Sequence, residues 1–270
     1  MQRLAWLTDI HLNFLDVNAR QHFYNNVAQA GSDLVIISGD IGEATSVELL
    51  LKEMQRCWHQ PIYFVLGNHD FYKSDVQAVR NAMRELTDSQ PSLQWLPNTA
   101  PVAITDDVVL LGQDGWADAR YGDYDHSLMA MNDSRLIEDL RNARAQGSQS
   151  LKAAMQLLAD EDAEQLENDI HQALADCNPS QVIVVTHVPP FKEVCFHRGQ
   201  STGDDVIPFY TSKAMGDVLL KVAKNNPLIE FNVLCGHTHG QAFYRPVDNL
   251  QVNVGGVRYG DPQIQAVWSV

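Results

Sequence analysis

Ile62-Tyr63-Phe64-Val65-Leu66-Gly67-Asn68-His69-Asp70 is the stretch that decides the reading of this chain. Five largely apolar residues fit a buried strand, and the Gly and three polar side chains after it fit a strand end that presents chemistry. Asn68 and His69 each offer a ligand atom, and Asp70 is placed to orient His69. A Gly-Asn step after a strand is also an ordinary turn, so its weight depends on the rest of the sequence. Four other apolar runs end in the same manner. Arg3–Leu7 leads to Asp9-Ile10-His11, Asp33–Ile37 to Gly39-Asp40, Gln181–Val185 to Thr186-His187, and Glu230–Cys235 to Gly236-His237-Thr238-His239.

Helical patterns fill the gaps between the first three strands, over about Val17 to Ala30 and Ser46 to Cys57. Strand and helix alternating at this spacing predict a parallel sheet with helical crossovers. A further helix is expected over about Ser74 to Leu86. Beyond Pro91 the short runs Leu93–Leu96, Val102–Ile104 and Val108–Leu111 predict antiparallel additions. A long polar and aromatic loop then covers about 112–134, where a function is the commoner reason for such length. Residues 133–177 read as two acidic helices broken near Gln146-Gly147-Ser148, fitting a solvated cover with one buried stripe, a lid or a dimer face. A second long loop, 188–210, precedes a helix over about Ser212–Lys224, and Ala242–Tyr244 and Leu250–Val254 read as closing antiparallel strands. No internal repeat is visible. The expectation is one domain over 1–270 with a helical insertion or cap at about 113–177.

At 270 residues, 45% hydrophobic and 20% charged, the chain can bury a large core. Its net charge of −15 argues against a long nucleic acid held on a basic surface. A phosphorylated small molecule stays compatible, because bound cations reverse the local sign. The chain enters a strand at once and no apolar stretch reaches spanning length, so neither a secretion signal nor a membrane partner is expected. Cys57, Cys177, Cys195 and Cys235 are scattered without a CxxC pair, which predicts a reduced, cytoplasmic protein of inert thiols.

The five strand ends supply Asp9, His11, Asp40, Asn68, His187, His237 and His239 besides His69, about twice what one tetrahedral zinc site uses. Two divalent ions sharing a carboxylate suit this set. Oxygen and nitrogen donors without thiolate favour Mn, Fe, Zn or similar ions. The order D-x-H, G-D, G-N-H-[DE], H and G-H-x-H resembles the calcineurin-like metallophosphoesterases, from residue 8 to residue 240 with every ligand position filled. A weaker similarity to a bacterial-type subgroup lies in Leu111-Gly112, Trp116 and Met131-Asn132-Asp133. The resemblance implies a four-layer α/β/β/α sandwich of two mixed sheets. It implies one metal on Asp9, His11 and His239 and a second on Asn68, His187 and His237, with Asp40 bridging both. It also implies a shared hydroxide that attacks phosphorus in line, at cations about 3.5–4 Å apart. His69 would face the leaving group and donate a proton there, and Asp70 would fix its tautomer.

The expected function is therefore dimetal hydrolysis of a phosphate ester, a monoester or a diester, on a small phosphorylated metabolite or nucleotide. A non-catalytic scaffold on the same fold is the alternative, and its mark would be a missing ligand; a single-metal or redox enzyme would leave half of the ligands without purpose. Taken singly, Asp40 fits a helix cap, Asp9 and His11 fit turn residues, and His187 fits a buried hydrogen-bonded histidine. His237 and His239 would face opposite sides of a regular strand, an objection that a loop flanked by Gly236 and Gly240 removes. Elsewhere, His22, His59 and His171 are expected on helix surfaces, and His126 and His197 in loops within reach of substrate. Arg120 fits either a phosphate clamp or a partner for a nearby aspartate, and Trp116 and Tyr121 fit loop packing or stacking on a ring.

Overall fold

Alternate residues along the strands face different cores, and this period of two builds four layers. The computed structural model describes residues 1–197 and 200–270. Among them the strands are β1 (Arg3–Leu7), β2 (Leu34–Ser38), β3 (Ile62–Val65), β4 (Leu93–Trp95), β5 (Val102–Ala103), β6 (Val108–Gly112), β7 (Gln181–Val185), β8 (Phe196–His197), β9 (Gln200–Ser201), β10 (Glu230–Cys235), β11 (Ala242–Val247), β12 (Leu250–Val254) and β13 (Ala266–Ser269). The helices are α1 (Val17–Gln29), α2 (Val47–Cys57), α3 (Val76–Ser89), α4 (Asp133–Leu136), α5 (Glu138–Ala145), α6 (Ser148–Cys177) and α7 (Lys213–Asn225).

One sheet runs β13-β1-β2-β3-β4, parallel except for β13, and the other runs β11-β12-β10-β7-β6-β5, parallel except at its two outer strands. Leu4 and Trp6 of β1, Leu34 and Ile36 of β2, Val108 and Leu110 of β6, and Ile183 and Val185 of β7 meet between the sheets. Their chain neighbours point outward. Leu7, Val35 and Ile37 pack with α1, α2 and α3, whereas Val109, Val182 and Val184 pack with α7 and the second half of α6. The result is the mixed-sheet α/β sandwich that the resemblance implied.

Two expectations about the sheet edges and one about a helix need correction. β4 and β6 pair parallel, with β3 and β7 respectively, and only β5 is an antiparallel addition. β12 lies parallel to β10, so β11 alone closes that edge antiparallel. His59 lies beyond the end of α2, on exposed chain. The break in the acidic helices does fall at Gly147, whose φ of 123° favours glycine. α6 is then a single helix of 30 residues ending on left-handed Asn178. Its buried Leu151, Met155, Ala159, Leu166, Ile170 and Ala173 form one stripe at helical spacing.

Candidate metal centre

The carboxyl ends of β1, β2, β3, β7 and β10 open onto one place, and the turns that follow them are laced together. Asp9 N donates to Gly39 O at 3.0 Å, His11 N to Asp40 O at 2.9 Å, and Gly236 N to His187 O at 2.9 Å. Non-glycine residues at positive φ are uncommon, yet Asp9 (48°), His11 (40°), Asp40 (54°), His237 (68°) and His239 (57°) all adopt it. The backbone is bent so that these side chains turn inward. His237 and His239 thus lie on a turn, and the alternation of a strand does not separate them.

Asp9, His11, Asp40 and His239 each offer a ligand atom, and these atoms lie within 4.8 Å of one another. His11 Nε2 is 3.3 Å from His239 Nε2 and 3.5 Å from Asp40 Oδ2, and His239 Nε2 is 3.3 Å from Asp9 Oδ1. Across Asp40, His187 Nε2 lies 3.4 Å from Asp40 Oδ1 and 3.1 Å from Asn68 Oδ1, and His237 Nδ1 lies 3.0 Å from the same amide oxygen. The sequence-predicted ligands therefore form two groups with Asp40 between them.

The donor set fits divalent cations. Asp9 and Asp40 are buried, and among the described residues their ion-pair partners are histidines, with no lysine or arginine. Burying such charges without compensation is costly. On the other side, His187 Nδ1 faces the Ser38 carbonyl at 2.9 Å and His237 Nε2 faces the Phe209 carbonyl at 3.1 Å. A carbonyl only accepts, so those nitrogens carry the protons. Burial keeps the His237 ring below its usual pKa, and its bare Nδ1 then confronts the Asn68 oxygen, acceptor against acceptor. A cation placed there would turn that opposition into a pair of ligands.

Electrostatics inside the site follow the same groups. Burial alone would raise Asp9, but the hydrogen bond from His239 and the charge of His187 hold it at about 2. Asp40 is likewise held well below the usual carboxylate range, its burial outweighed by His187, His69 and His11. Burial lowers His11 to about 4 despite both carboxylates.

Asp70 departs from its expected role. Its carboxylate accepts from the backbone N–H groups of Ile41, Gly42 and Gly67, the last two at 2.7 and 2.9 Å, and not from His69. It ties the turn after β2 to the turn after β3, and His69 Nδ1 is left without a hydrogen-bond partner among the described residues. Burial and the nearby Asp40 charge push Asp70 up to about 7, against the pull of those three donors. His69 does face the site: its Nε2 is 4.0 Å from Asp40 Oδ2 and its ring lies 4.3 Å from that of Tyr72.

A cavity of about 200 Å³ opens over these groups, lined by His69, Tyr72, Met131, Asn132, Tyr210 and Tyr259 among others. The three tyrosines have no assigned role in the sequence, and Asp133 enters it only through the Met131-Asn132-Asp133 similarity. Tyr72, four residues beyond Asn68, was the one with a usable spacing. Tyr259, with its ring 4.6 Å from that of His11 and 4.8 Å from that of His239, gave no signal at all.

The long loop between β6 and α4 takes little part in the site before Ala130. Trp116 packs on Phe71 at 4.9 Å, and Arg120 pairs with Asp118 and Asp160. Asp118 also accepts from Ala214 N at the start of α7. Asp114 is buried, accepting from Leu66 N and Trp95 Nε1. His126 is exposed and bonded to Asp123, away from the cavity. The His197 side chain lies outside the described residues.

The model of the family described as calcineurin-like phosphoesterase matches residues 2–241. No curated protein sequence matches the chain. Among solved structures, a dimetal phosphatase from Danio rerio is similar at a TM-score of 0.58 and 12% identity, over 94% of this chain and 87% of that one. The phosphopantetheinyl hydrolase from Mycobacterium tuberculosis is similar at a TM-score of 0.56 and 14% identity, over 95% and 89%. A protein of Thermus thermophilus follows at 0.53 and 14%, over 95% and 89%. At such identities the likeness speaks for the fold, while the family model spans most of the sequence and all five strand-end motifs. The chain belongs to the calcineurin-like phosphoesterase family.

Proposed function

We propose that this protein hydrolyses a small phosphate ester at two divalent cations. The observation that carries the reading is the convergence of Asp9, His11, Asp40 and His239 within 4.8 Å, backed across Asp40 by Asn68, His187 and His237. In this reading Asp9, His11 and His239 hold one cation, Asn68, His187 and His237 hold the other, and Asp40 serves both. Bound there, such ions supply Lewis acidity, polarising a phosphoryl oxygen and making water acidic enough to attack at neutral pH.

The remaining work belongs to the side chains around them. His69 borders the cavity and donates a proton to the departing oxygen. Asp70 holds the turns that carry Asp40 and Asn68, fixing these two residues relative to each other. Tyr72, Tyr210 and Tyr259 wall the cavity and limit it to a small phosphorylated metabolite or nucleotide. The volume of about 200 Å³ lies below that of most drug-sized ligand sites, and the net charge of −15 disfavours a long nucleic acid. The buried Trp116 and the Met131-Asn132-Asp133 segment support kinship with the bacterial-type subgroup. A reducing cytoplasm suits the four free thiols, and no helix among the described residues is long and apolar enough to cross a membrane.

Turnover of an aryl phosphate monoester and the matching diester by manganese-loaded protein tests the reading. Cleavage of either, abolished by chelation and restored by Mn²⁺, is the expected result, and the ratio of rates separates phosphatase from phosphodiesterase. No cleavage together with no bound metal would overturn it in favour of a scaffold.

A further inference from the structure

An amide side chain can turn either its oxygen or its nitrogen toward a neighbour, and only the oxygen serves a cation. For Asn68 the choice is made behind the site. Its Nδ2 lies 2.8 Å from Asp133 Oδ1 and 3.1 Å from the Tyr72 hydroxyl, which itself donates to the same Asp133 oxygen at 2.7 Å. An ionised carboxylate only accepts, so the Asn68 nitrogen belongs on the Asp133 side. The oxygen is thereby aimed at His187 Nε2 and His237 Nδ1.

Asp133 is itself held in place. It opens α4, and the chain after it is pinned to the segment that follows Asn68. Lys73 N donates to Leu136 O at 2.8 Å, Glu138 N to Ser74 O at 2.9 Å, and Val76 N to the Asp139 carboxylate at 2.8 Å. Ser74 and Ile137 form a parallel bridge. The C-terminal end of α4 and the residues after it, 136–139, are thus fastened to the segment 73–76 that follows Asn68.

We propose that Asp133, assisted by Tyr72, is a positioning residue that locks the Asn68 amide with its oxygen toward the centre. The segment carrying Asp133 thereby sets the cation affinity of the His187–His237 side and leaves the His11–His239 side alone. This rests on the reading of Asn68 as a ligand.

The test is calorimetric titration of metal-free protein with Mn²⁺. The wild type is expected to take up two ions per chain. Asp133→Ser cannot reach Asn68 yet suits a helix start. It should weaken one ion by about 10- to 100-fold, as loss of a ligand's orienting partner does, and leave the other unchanged. Asp133→Asn keeps an oxygen that can accept from Asn68 and should restore most of the affinity. Wild-type binding of both ions by Asp133→Ser, equal weakening of both, or an Asn variant no better than Ser would overturn the proposal. An unfolded Asp133→Ser beside an Asp133→Asn with wild-type binding leaves the clasp standing only if Tyr72→Phe weakens one ion alone. If Tyr72→Phe leaves both intact, the clasp falls. Asn68→Ala is titrated alongside: two ions bound with wild-type affinity there would overturn the ligand assignment itself.

Discussion

Asp9, His11 and His239 hang from turns with φ of 48°, 40° and 57°, on one side of the Asp40 carboxylate. Asn68, His187 and His237, on the other side, each have a second polar atom hydrogen-bonded away from the centre, to Asp133 and Tyr72, to Ser38 O and to Phe209 O. The first side is aimed more by the backbone and the second more by hydrogen bonds, with left-handed His237 and left-handed Asp9, which accepts from Thr8 Oγ1 and His237 N, sharing both devices. The two devices fail differently. A left-handed non-glycine residue costs roughly 1–2 kcal/mol, so the first side depends on the neighbouring turns that impose this conformation. The second side depends on particular partner atoms, which single substitutions can remove one at a time.

Asp40 faces both sides, and its loss should be the largest effect. Asp40→Asn is expected to empty both positions and lower turnover by about 10⁴-fold or more, read by metal analysis and steady-state kinetics. Retention of two ions and full activity would remove Asp40 from its place between them. His69 contacts the cavity from neither group of ligands. His69→Ala should keep both ions and slow kcat by about 10²- to 10⁴-fold; a lost ion would instead make His69 part of one side.

Paired glycine variants separate the sides more finely. A Cβ at Gly236 would run into Asp9 Oδ2 and Thr8 Oγ1, whereas one at Gly39 would lie 2.6 Å from His187 Nδ1. Gly236→Ala should weaken the His11–His239 position by about 1–3 kcal/mol and Gly39→Ala the His187 position by a similar amount, in Mn²⁺ titrations. Identical profiles would mean that the two sides are one unit. The smallest effect belongs to Tyr72→Phe, which removes the hydroxyl between Asn68 and Asp133. It should weaken the Asn68-side ion by about 2- to 10-fold and leave the other unaltered.

The convergence of Asp9, His11, Asp40, Asn68, His187, His237 and His239 is legible in the sequence because a strand end fixes where a side chain goes. Five apolar runs, each ending in Gly, Asp or His, can converge only if the sheets place those ends together. Asp70 was misread for a local reason: adjacency to His69 suggested a partner, but the turn directs its carboxylate to three backbone donors from two different turns. The parallel pairing of β4 and β6 was hidden because direction is decided by long-range neighbours, which a three- or five-residue run does not announce. Tyr210 and Tyr259 reach the cavity from loops whose paths follow from tertiary packing, and no periodicity encodes them.

One consequence of the long helix α6 concerns motion. Its first half contributes Leu151, Met155 and Ala159 to the core that also holds Trp116 and Phe209. Its second half contributes Leu166, Ile170 and Ala173 to the core beneath α7. At 1.5 Å per residue, its 30 residues make a strut about 45 Å long, clamped at both ends. Such a strut cannot swing as a lever without prising open one of two buried apolar interfaces. Breathing of the cavity rim is thereby left to the short coil before α4 and to the Tyr259 loop. In hydrogen exchange, those two segments should trade their amides long before α6 does.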